Sequence, residues 1–336
     1  MIGYVLQADG SFEYRQVEQQ TPSGDVVRVA PVFVGLCGSD IHFQEQLLPG
    51  VEHPLALGHE IVGIALDGEH AGRPVAVDPV EGCGSCEVCR AGLEQLCASL
   101  VVIGAHRHGG LTEEVGVRAH AVHPLPDDLP LQVAALAEVL AVAVRAVRRA
   151  ALPEGGTALV VGGGPIGVLI AFAARALAGA DVTVVETAER RRRFAAEFGF
   201  RAVDRLPGIG DVAQQSSQSL HDAVFDAAGA ESVAPRLTDH VRSGGSIVLV
   251  ALYPDVTGLN VRDVVMRELN VVGTRACTAE DMRTAIELLN AHQQELAPLV
   301  ADVVEPAGMA EALERMKRGE IMKVLVDCRG ISAGHL

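Results

Sequence analysis

The stretch Gly162–Gly167, which reads GGGPIG, decides the fold of this chain because it follows a strand pattern and opens a helix pattern. A glycine-rich turn in that context is typical of dinucleotide binding. Gly162 permits the tight turn, Gly164 lets the backbone approach a pyrophosphate, and Gly167 allows the helix to pack closely on the strand. We therefore predict a dinucleotide site here. The alternative is an ordinary glycine turn at the head of a β-α unit.

The identity of the cofactor depends on the residues after this turn. The predicted helix begins at Ile166, and its N-terminal N–H groups would face the cofactor phosphates. The next predicted strand ends at Glu186. A carboxylate there accepts hydrogen bonds from ribose hydroxyls and repels the 2′-phosphate of NADP. Arginines 190–193 would favour NADP, but they begin four residues later, where a solvated helix face accounts for them. We predict NAD.

Strand and helix patterns alternate after Pro153, which predicts a parallel sheet with helices on both faces. The predicted strands are Thr157–Val161, Asp181–Glu186, Ala223–Asp226, Ser246–Val250 and Leu269–Gly273, and the helices are Ile166–Ala178 and Ala188–Phe198. The first 130 residues instead predict short strands: Val26–Val34, Glu60–Ala65 and Pro74–Asp78. Further predictions are helices at Leu131–Ala150, Ala279–Leu289 and Pro306–Lys317, and a strand at Lys323–Asp327. The chain is thus predicted to be an α/β protein with two domains.

The net charge and the apolar segments of the chain limit the kinds of molecule that it can bind. The 336 residues carry a formal net charge of −16, which disfavours nucleic acid and acidic membrane surfaces. The N-terminus lacks the basic and apolar blocks of a signal peptide, and no apolar run reaches the roughly 20 residues needed to span a bilayer. We expect a cytoplasmic protein that acts on a small molecule. Thiols stay reduced in that compartment, so clustered cysteines indicate a metal.

The most specific pattern is a lobe of four cysteines at residues 83–97, namely Cys83, Cys86, Cys89 and Cys97. Thiolates at this spacing can surround one zinc ion tetrahedrally, and Gly82 and Gly84 let the backbone fold tightly around it. Four protein ligands leave no open position, so this zinc is predicted to be structural. An iron–sulfur cluster and a disulfide pair are the alternatives.

Three other segments predict a second, open metal site. Residues 35–42 (GLCGSDIH) place a thiol, a hydroxyl, a carboxylate and an imidazole together, and residues 58–60 (GHE) add an imidazole and a carboxylate. Glu138 stands alone in an apolar run, and a buried carboxylate needs a partner. The alternative for Glu138 is a solvent-facing helix residue.

These motifs together resemble those of zinc-containing medium-chain dehydrogenases, in the branch that holds sorbitol, threonine and butanediol dehydrogenases. The matching stretches are GLCGSDIH, LGHE, the cysteine lobe with CRAGLEQLC, AEVLAVAVRA, GGGPIG and VFDAAG, in the family's order. The resemblance implies a GroES-like β-rich catalytic domain, residues 1–137 plus 275–336, with a Rossmann domain, residues 138–274, inserted into it. It also implies an active site in the cleft between the domains, two zinc ions per chain, and a homodimer or homotetramer.

Carried over residue by residue, the resemblance implies that Cys37, His59 and Glu60 bind a catalytic zinc. Glu138 matches a glutamate that binds the metal directly or holds a metal-bound water. Ordinary alcohol dehydrogenases have a second cysteine there, so a polyol-type substrate is favoured over ethanol. Asp40 is implied as the carboxylate that orients His59.

The resemblance also implies the chemistry. Zinc acts as a Lewis acid on the alcohol, and hydride passes to the nicotinamide. Ser39 would take the hydroxyl proton and pass it through the cofactor ribose to His42. Phe43 is implied to lie beside the substrate pocket, where its lack of a polar group disfavours a long sugar alcohol. Arg275, after the last strand of the sheet, is a candidate contact to cofactor or substrate, or a surface charge.

We therefore expect a zinc-dependent oxidoreductase that converts a secondary alcohol, such as a polyol, vicinal diol or cyclitol, to a ketone with NAD. Two alternatives stay open. One is an NADPH-dependent ketone reductase of a biosynthetic pathway. The other is a zinc- and nucleotide-binding protein without turnover, which would tolerate the loss of Cys37 or Ser39; both residues are present.

Overall fold

The computed structural model describes residues 1–45, 51–206, 220–253 and 257–331. The chain forms two compact units, Met1–Ala141 with Cys277–Leu336, and Val142–Ala276. The sequence places the domain boundaries a few residues earlier, after 137 and 274, and that functional division stays a prediction. Among the described residues, no helix has both the length and the apolar character that a membrane crossing requires.

The second unit contains the predicted parallel sheet. Its strands are β10 (Thr157–Val161), β11 (Asp181–Val185), β12 (Arg201–Val203), β13 (His221–Asp226), β14 (Val241–Leu249) and β15 (Asn270–Gly273). They are ordered β12-β11-β10-β13-β14-β15, and every neighbouring pair is parallel. This is the order of a doubly wound dinucleotide-binding sheet, whose ligands bind at the carboxyl ends of the strands where the order reverses. The prediction for this region is confirmed, with β12 as an added edge strand.

Helices flank this sheet, and the first two lie within one residue of their predicted bounds, whereas the third was not predicted. They are α5 (Pro165–Ala178), α6 (Glu189–Glu197) and α7 (Val261–Met266). Pro165 occupies the first turn of α5, where its missing N–H costs nothing, and Gly179 ends the helix in the left-handed conformation at φ 60°. The middle of α5 is fully buried, and Phe172 is 1% exposed.

The first unit is built mainly of β-strands. They are β1 (Ile2–Leu6), β2 (Phe12–Gln16), β3 (Val26–Gly35), β4 (Glu60–Ala65), β5 (Pro74–Val77), β6 (Val80–Glu81), β7 (Val101–Val102), β8 (Val115–Arg118), β9 (Val122–Pro124), β16 (Val300–Val304) and β17 (Lys323–Asp327). The largest sheet runs β16-β17-β3-β4-β5-β9, and β8 also pairs with β3. In this sheet β17 and β4 both lie against β3 and bring residues distant in sequence together.

Helices of the first unit lie between and beside these strands. They are α1 (Gly38–Gln44), α2 (Glu87–Arg90), α3 (Leu131–Ala134), α8 (Ala279–Ala291), α9 (Gln293–Leu296) and α10 (Met309–Lys317). Helix α4 (Ala137–Ala150) begins in the first unit and continues into the second. The continuous helix predicted over residues 131–150 is wrong, since the structure has two helices there. The amide of Leu136 donates to the carbonyl of Val133 at 3.0 Å, a tighter closure than an α-helix makes, and no proline or glycine signals this break.

Candidate functional site

The four cysteines of the lobe converge as the sequence predicts. Their sulfur atoms all lie within 4.8 Å of one another. Cys86 Sγ is 3.4 Å from Cys89 Sγ and 3.9 Å from Cys97 Sγ, and Cys83 Sγ is 4.0 Å from Cys89 Sγ. A zinc ion with bonds of about 2.3 Å to four sulfurs requires sulfur separations of roughly 3.8 Å. A disulfide would require about 2.05 Å. The spacing therefore fits a tetrahedral metal and no disulfide.

Backbone groups around these sulfurs are arranged for thiolates. The amides of Cys86 and Cys83 donate to Cys83 Sγ and Cys97 Sγ, each at 3.3 Å. Hydrogen bonds from Ser85 and neighbouring amides lower the pKa of Cys83 to about 6, whereas burial raises the pKa of Cys89 to about 12. Thiols so close cannot all ionise without a cation among them, so the donor set fits zinc.

The two glycines of the lobe have separate roles. Gly84 adopts φ 72°, a left-handed conformation that favours glycine. A Cβ on Gly82 would lie 2.6 Å from Cys89 Sγ, so a side chain there would displace a sulfur atom. Both positions support the tight fold that the sequence predicts.

The second donor group brings together Cys37, His59 and Glu60, whose ligand atoms lie within 4.8 Å of one another. Cys37 precedes helix α1, and its amide donates to Asp40 Oδ2 at 2.8 Å, which fixes the helix start. His59 and Glu60 stand where β4 begins, after Gly58 at φ 98°. One sulfur, one nitrogen and one oxygen are ligands that zinc accepts, and three protein ligands are typical of an open site.

The electrostatic environment of His59 favours a positive charge. Burial opposes that charge, but the side chains of Cys37, Asp40 and Glu138 outweigh it and raise the pKa of the imidazole. Asp40 is fully buried, and its Oδ1, which has no hydrogen-bond partner among the described residues, lies 3.8 Å from His59 Nδ1. These negative side chains make the position of His59 favourable for a cation.

Asp40 makes two contacts through its two carboxylate oxygens. Oδ2 accepts the hydrogen bond from the Cys37 amide, and Oδ1 faces His59 Nδ1 at 3.8 Å, beyond hydrogen-bond distance. At this distance the carboxylate acts on His59 through its charge. Its role in orienting His59 stays a prediction, and the contact to the Cys37 amide depends on the cap at the start of α1.

Glu138 lies in the first turn of α4 and is partly buried, outside the close group of three ligand atoms. Burial, reinforced by the negative charges of Glu60 and Asp78, raises its pKa to about 7. The charges of His59 and Lys323 act in the opposite direction. Glu138 therefore shares the electrostatic environment of the centre, and it is not a residue in full contact with water.

Lys323 is the residue that the sequence analysis missed. It is 1% exposed, and its Nζ donates to Glu60 Oε1 at 2.6 Å, to Glu60 Oε2 at 2.8 Å and to the carbonyl of Leu36 at 2.9 Å. No motif surrounds Lys323, and the contact joins residues 263 positions apart. A lysine amid the apolar residues of the closing strand is the one signal that could have indicated it.

The proposed proton-transfer residues lie on α1. Ser39 is partly exposed and His42 exposed, three residues apart and hence on one face of the helix. Phe43 is 7% exposed and packs in the hydrophobic core of its unit. These positions are compatible with the roles that the resemblance implies, which stay predictions.

In the second unit, the glycine turn and Glu186 form one wall of a pocket of about 450 Å³. Glu186 Oε2 accepts the N–H of Gly163 at 2.8 Å, and its Oε1 accepts the N–H of Ala188 at 2.7 Å. The same pocket is lined by Gly162, Gly164 and three arginines, Arg191, Arg205 and Arg236. The carboxylate is thus fixed beside the turn, among cationic side chains.

The remaining residues of the predicted cofactor site differ in their placement. Gly162 has φ 104°, as a tight turn requires. A Cβ on Gly167 would overlap the carbonyl oxygen of Gly162, so only glycine allows this approach of helix to strand. Ile166 is partly buried in α5. Arg275 is exposed after β15 and is not among the residues lining the pocket.

Comparison with known proteins identifies the family of this chain. Residues 23–127 match the model of the alcohol dehydrogenase GroES-like domain, and residues 165–291 match that of the zinc-binding dehydrogenase domain. The chain is 33% identical to 2-dehydro-3-deoxy-L-galactonate 5-dehydrogenase of Pseudoalteromonas atlantica, over 97% of this chain and 98% of the relative.

Two solved structures share the fold. A zinc-binding dehydrogenase of Sinorhizobium meliloti 1021 bound to NADP has a TM-score of 0.86 and 29% identity, covering 97% of this chain and 98% of the other. A short chain alcohol dehydrogenase of Escherichia coli CFT073 complexed with NADH has a TM-score of 0.88 and 25% identity, covering 97% and 99%. With the relative at 33% identity, these findings show that the chain belongs to the zinc-dependent medium-chain dehydrogenase family.

Proposed function

We propose that this protein oxidises a secondary alcohol of a polyol or sugar acid to a ketone, with NAD as the acceptor of the hydride. The observation that carries the proposal is the close group of Cys37, His59 and Glu60. A sulfur, a nitrogen and an oxygen ligand form an open site in a chain that also has the glycine turn and Glu186. The name of the Pseudoalteromonas relative, a sugar-acid dehydrogenase, supports the substrate class.

Zinc bound at this group supplies a Lewis acid that favours the ionised form of the alcohol. The chain's own residues hold the ligands in place and move the proton. The cap on α1 fixes Cys37, and the start of β4 fixes His59 and Glu60. Ser39 accepts the hydroxyl proton as it gives up its own, and His42, exposed on the same helix face, passes a proton to solvent.

The cysteine lobe holds a second, structural zinc in this proposal. None of the seven cysteines, all of them among the described residues, forms a disulfide, which suits the reducing cytoplasm in which we place the protein. Metal analysis of the purified chain tests the count, and we expect about two zinc ions per chain. A single zinc would support the binding module without turnover.

The decisive assay is an NAD-reduction screen over aldonates, polyols, vicinal diols, cyclitols and simple secondary alcohols. We expect turnover on polyhydroxylated substrates, and the Cys37→Ser variant should lose turnover and one zinc while its affinity for NAD stays native. The zinc of the cysteine lobe is the internal control. Absence of turnover on every class, with both zinc ions bound, would overturn the enzyme proposal.

One observation favours a second candidate, an NADPH-linked ketone reductase. Arg191, Arg205 and Arg236 line the same pocket as Glu186, and guanidinium groups recognise phosphate. Against this, the backbone N–H groups of Gly163 and Ala188 hold the Glu186 carboxylate in the pocket, where its charge repels a 2′-phosphate. Titration with NADH and NADPH distinguishes the candidates, and we expect tighter binding of NADH.

We propose further that the chain assembles as a homodimer or homotetramer. Among the described residues, β15 pairs with β14 alone, so one edge of the six-stranded sheet is open. Helix α7, which precedes β15, has three apolar side chains that are between 66% and 72% exposed: Val261, Val265 and Met266. An open edge and exposed apolar side chains are features that a second copy would cover. Sedimentation analysis of the native chain and of Met266→Lys tests this, and a monomeric native chain would refute it.

A further inference from the structure

Lys323 is placed to control the metal centre, although it is not itself a metal ligand. An ammonium group has three N–H donors. In Lys323 they meet three oxygen atoms, both oxygens of Glu60 and the carbonyl of Leu36, at 2.6 to 2.9 Å. Both side chains are almost completely removed from solvent, at 2% and 0% exposure. The position of Glu60 is therefore set by Lys323.

The surrounding backbone leaves room for Glu60 at this contact. Gly35 pairs with Glu60 across β3 and β4, and a Cβ at Gly35 would overlap Glu60 Oε2. The carboxylate thus occupies the space that the glycine leaves. Because Glu60 also lies in the close group with Cys37 and His59, one carboxylate faces two cationic positions, the lysine and the metal.

The charges of the centre explain why a lysine is needed. Cys37, Asp40, Glu60 and Glu138 can each carry a negative charge, and a divalent metal offsets only two of them. The ammonium of Lys323 offsets a third. It also draws electron density from Glu60, since both carboxylate oxygens already accept hydrogen bonds, and this weakens Glu60 as a ligand.

We infer that Lys323 is a positioning residue that shares Glu60 with the catalytic metal, and so makes Glu60 an exchangeable ligand and sets how tightly the metal is held. The inference rests on the proposed function only in taking the Cys37 group as a zinc site. Its test uses zinc release to a chelator and thermal unfolding of the metal-free and zinc-loaded chain.

In Lys323→Met, Glu60 has the metal as its remaining cation. We expect zinc at the Cys37 centre to leave at least tenfold more slowly than in the native chain. Without metal, the variant should melt at a lower temperature than the native chain. Zinc binding should raise the melting temperature of the variant by more than it raises that of the native chain. Lys323→Arg keeps the charge and should restore native release. The phase of zinc release that is absent in Cys37→Ser identifies this centre. Zinc release from the cysteine lobe is the internal control and should be unchanged.

A lysine with only a structural role would lower both melting temperatures equally and leave the release rate unchanged, which would overturn the inference. If Lys323→Met does not fold, Lys323→Gln carries the test. Its amide can still donate to Glu60, which supports folding, and its loss of the positive charge gives the same expected direction. In Lys323→Met/Glu60→Gln the slow release should be lost, since it requires the carboxylate. Failure of the proposed function would appear separately, as absent turnover in the native chain with normal zinc release.

Discussion

The prediction that most directly tests the dinucleotide turn is the contrast between Gly167→Ala and Gly164→Ala. At Gly167 the new methyl group would overlap the carbonyl oxygen of Gly162, and it would also lie 2.9 Å from the carbonyl carbon. Relief requires α5 to move away from β10. At Gly164, where φ is −71°, the nearest atom to a new methyl group is Arg191 Nη1 at 4.0 Å. The two substitutions add the same group in opposite surroundings.

The expected magnitudes follow from these surroundings. Overpacking costs about 1–3 kcal/mol, and the rigid backbone oxygen places Gly167→Ala at the upper end. Strain on the hydrogen bond from the Gly162 amide to Val185, which measures 2.8 Å, adds about 1 kcal/mol. The better helix propensity of alanine returns up to about 1 kcal/mol. We expect a net loss of about 3 kcal/mol in the free energy of unfolding. For Gly164→Ala, a change at the N-cap, we expect a loss below about 1 kcal/mol.

The affinity for NADH should decrease more in Gly164→Ala than in Gly167→Ala, the reverse of the order for stability. A methyl group at Gly164 occupies the space through which a pyrophosphate approaches the backbone, so the dissociation constant for NADH should rise about tenfold or more. Urea unfolding followed by circular dichroism, and NADH fluorescence titration, measure the two effects. A Gly167→Ala variant that unfolds at the native urea concentration would refute the packing argument. Native NADH affinity in Gly164→Ala would refute the assignment of the turn.

Three further predictions concern single residues. Glu186→Ala should shift the ratio of NAD to NADP affinity towards NADP by about tenfold, because it removes the carboxylate that repels the 2′-phosphate. Competitive titration measures this ratio, and Glu189→Ala, at an exposed position, is the control. Cys97→Ser should remove the lobe zinc and lower the melting temperature, while the Cys37 centre keeps its metal. Metal analysis and calorimetry measure these effects, and a variant that retains both ions would contradict the prediction. Burial lowers the pKa of His240 to about 4. Below about pH 6.5 the unfolded chain therefore binds a proton at this residue that the folded chain does not, and the free energy of unfolding decreases as the pH falls. Between pH 6.5 and 5 the native chain should lose about 2 kcal/mol more than His240→Asn in urea unfolding, and equal losses would contradict this.

The sequence predicts which candidate metal ligands converge because each group depends on short stretches of chain. The cysteine lobe spans fifteen residues, and its sulfurs meet as the spacing predicts. Prediction is weaker where a side chain contacts more than one group. Asp40 lies three residues from Cys37 and accepts a hydrogen bond from that backbone amide, a contact that its predicted role beside His59 does not include. The break between α3 and α4 likewise carries no local signal, since every residue around it is a good helix former or apolar.

The amino-acid sequence by itself determined the doubly wound sheet, the glycine turn with Glu186, and the two groups of residues that we predict to bind metal. Periodicity, turns and ligand spacing are short-range properties, so they can be seen along the chain. Only the tertiary structure decided that Lys323 holds Glu60. Leu325 of β17 pairs with Gly35 of β3, and Gly35 pairs with Glu60 of β4, so the register of three strands brings the lysine and the carboxylate together. Such a contact depends on the packing of the whole sheet, because no local preference joins residues so far apart in sequence.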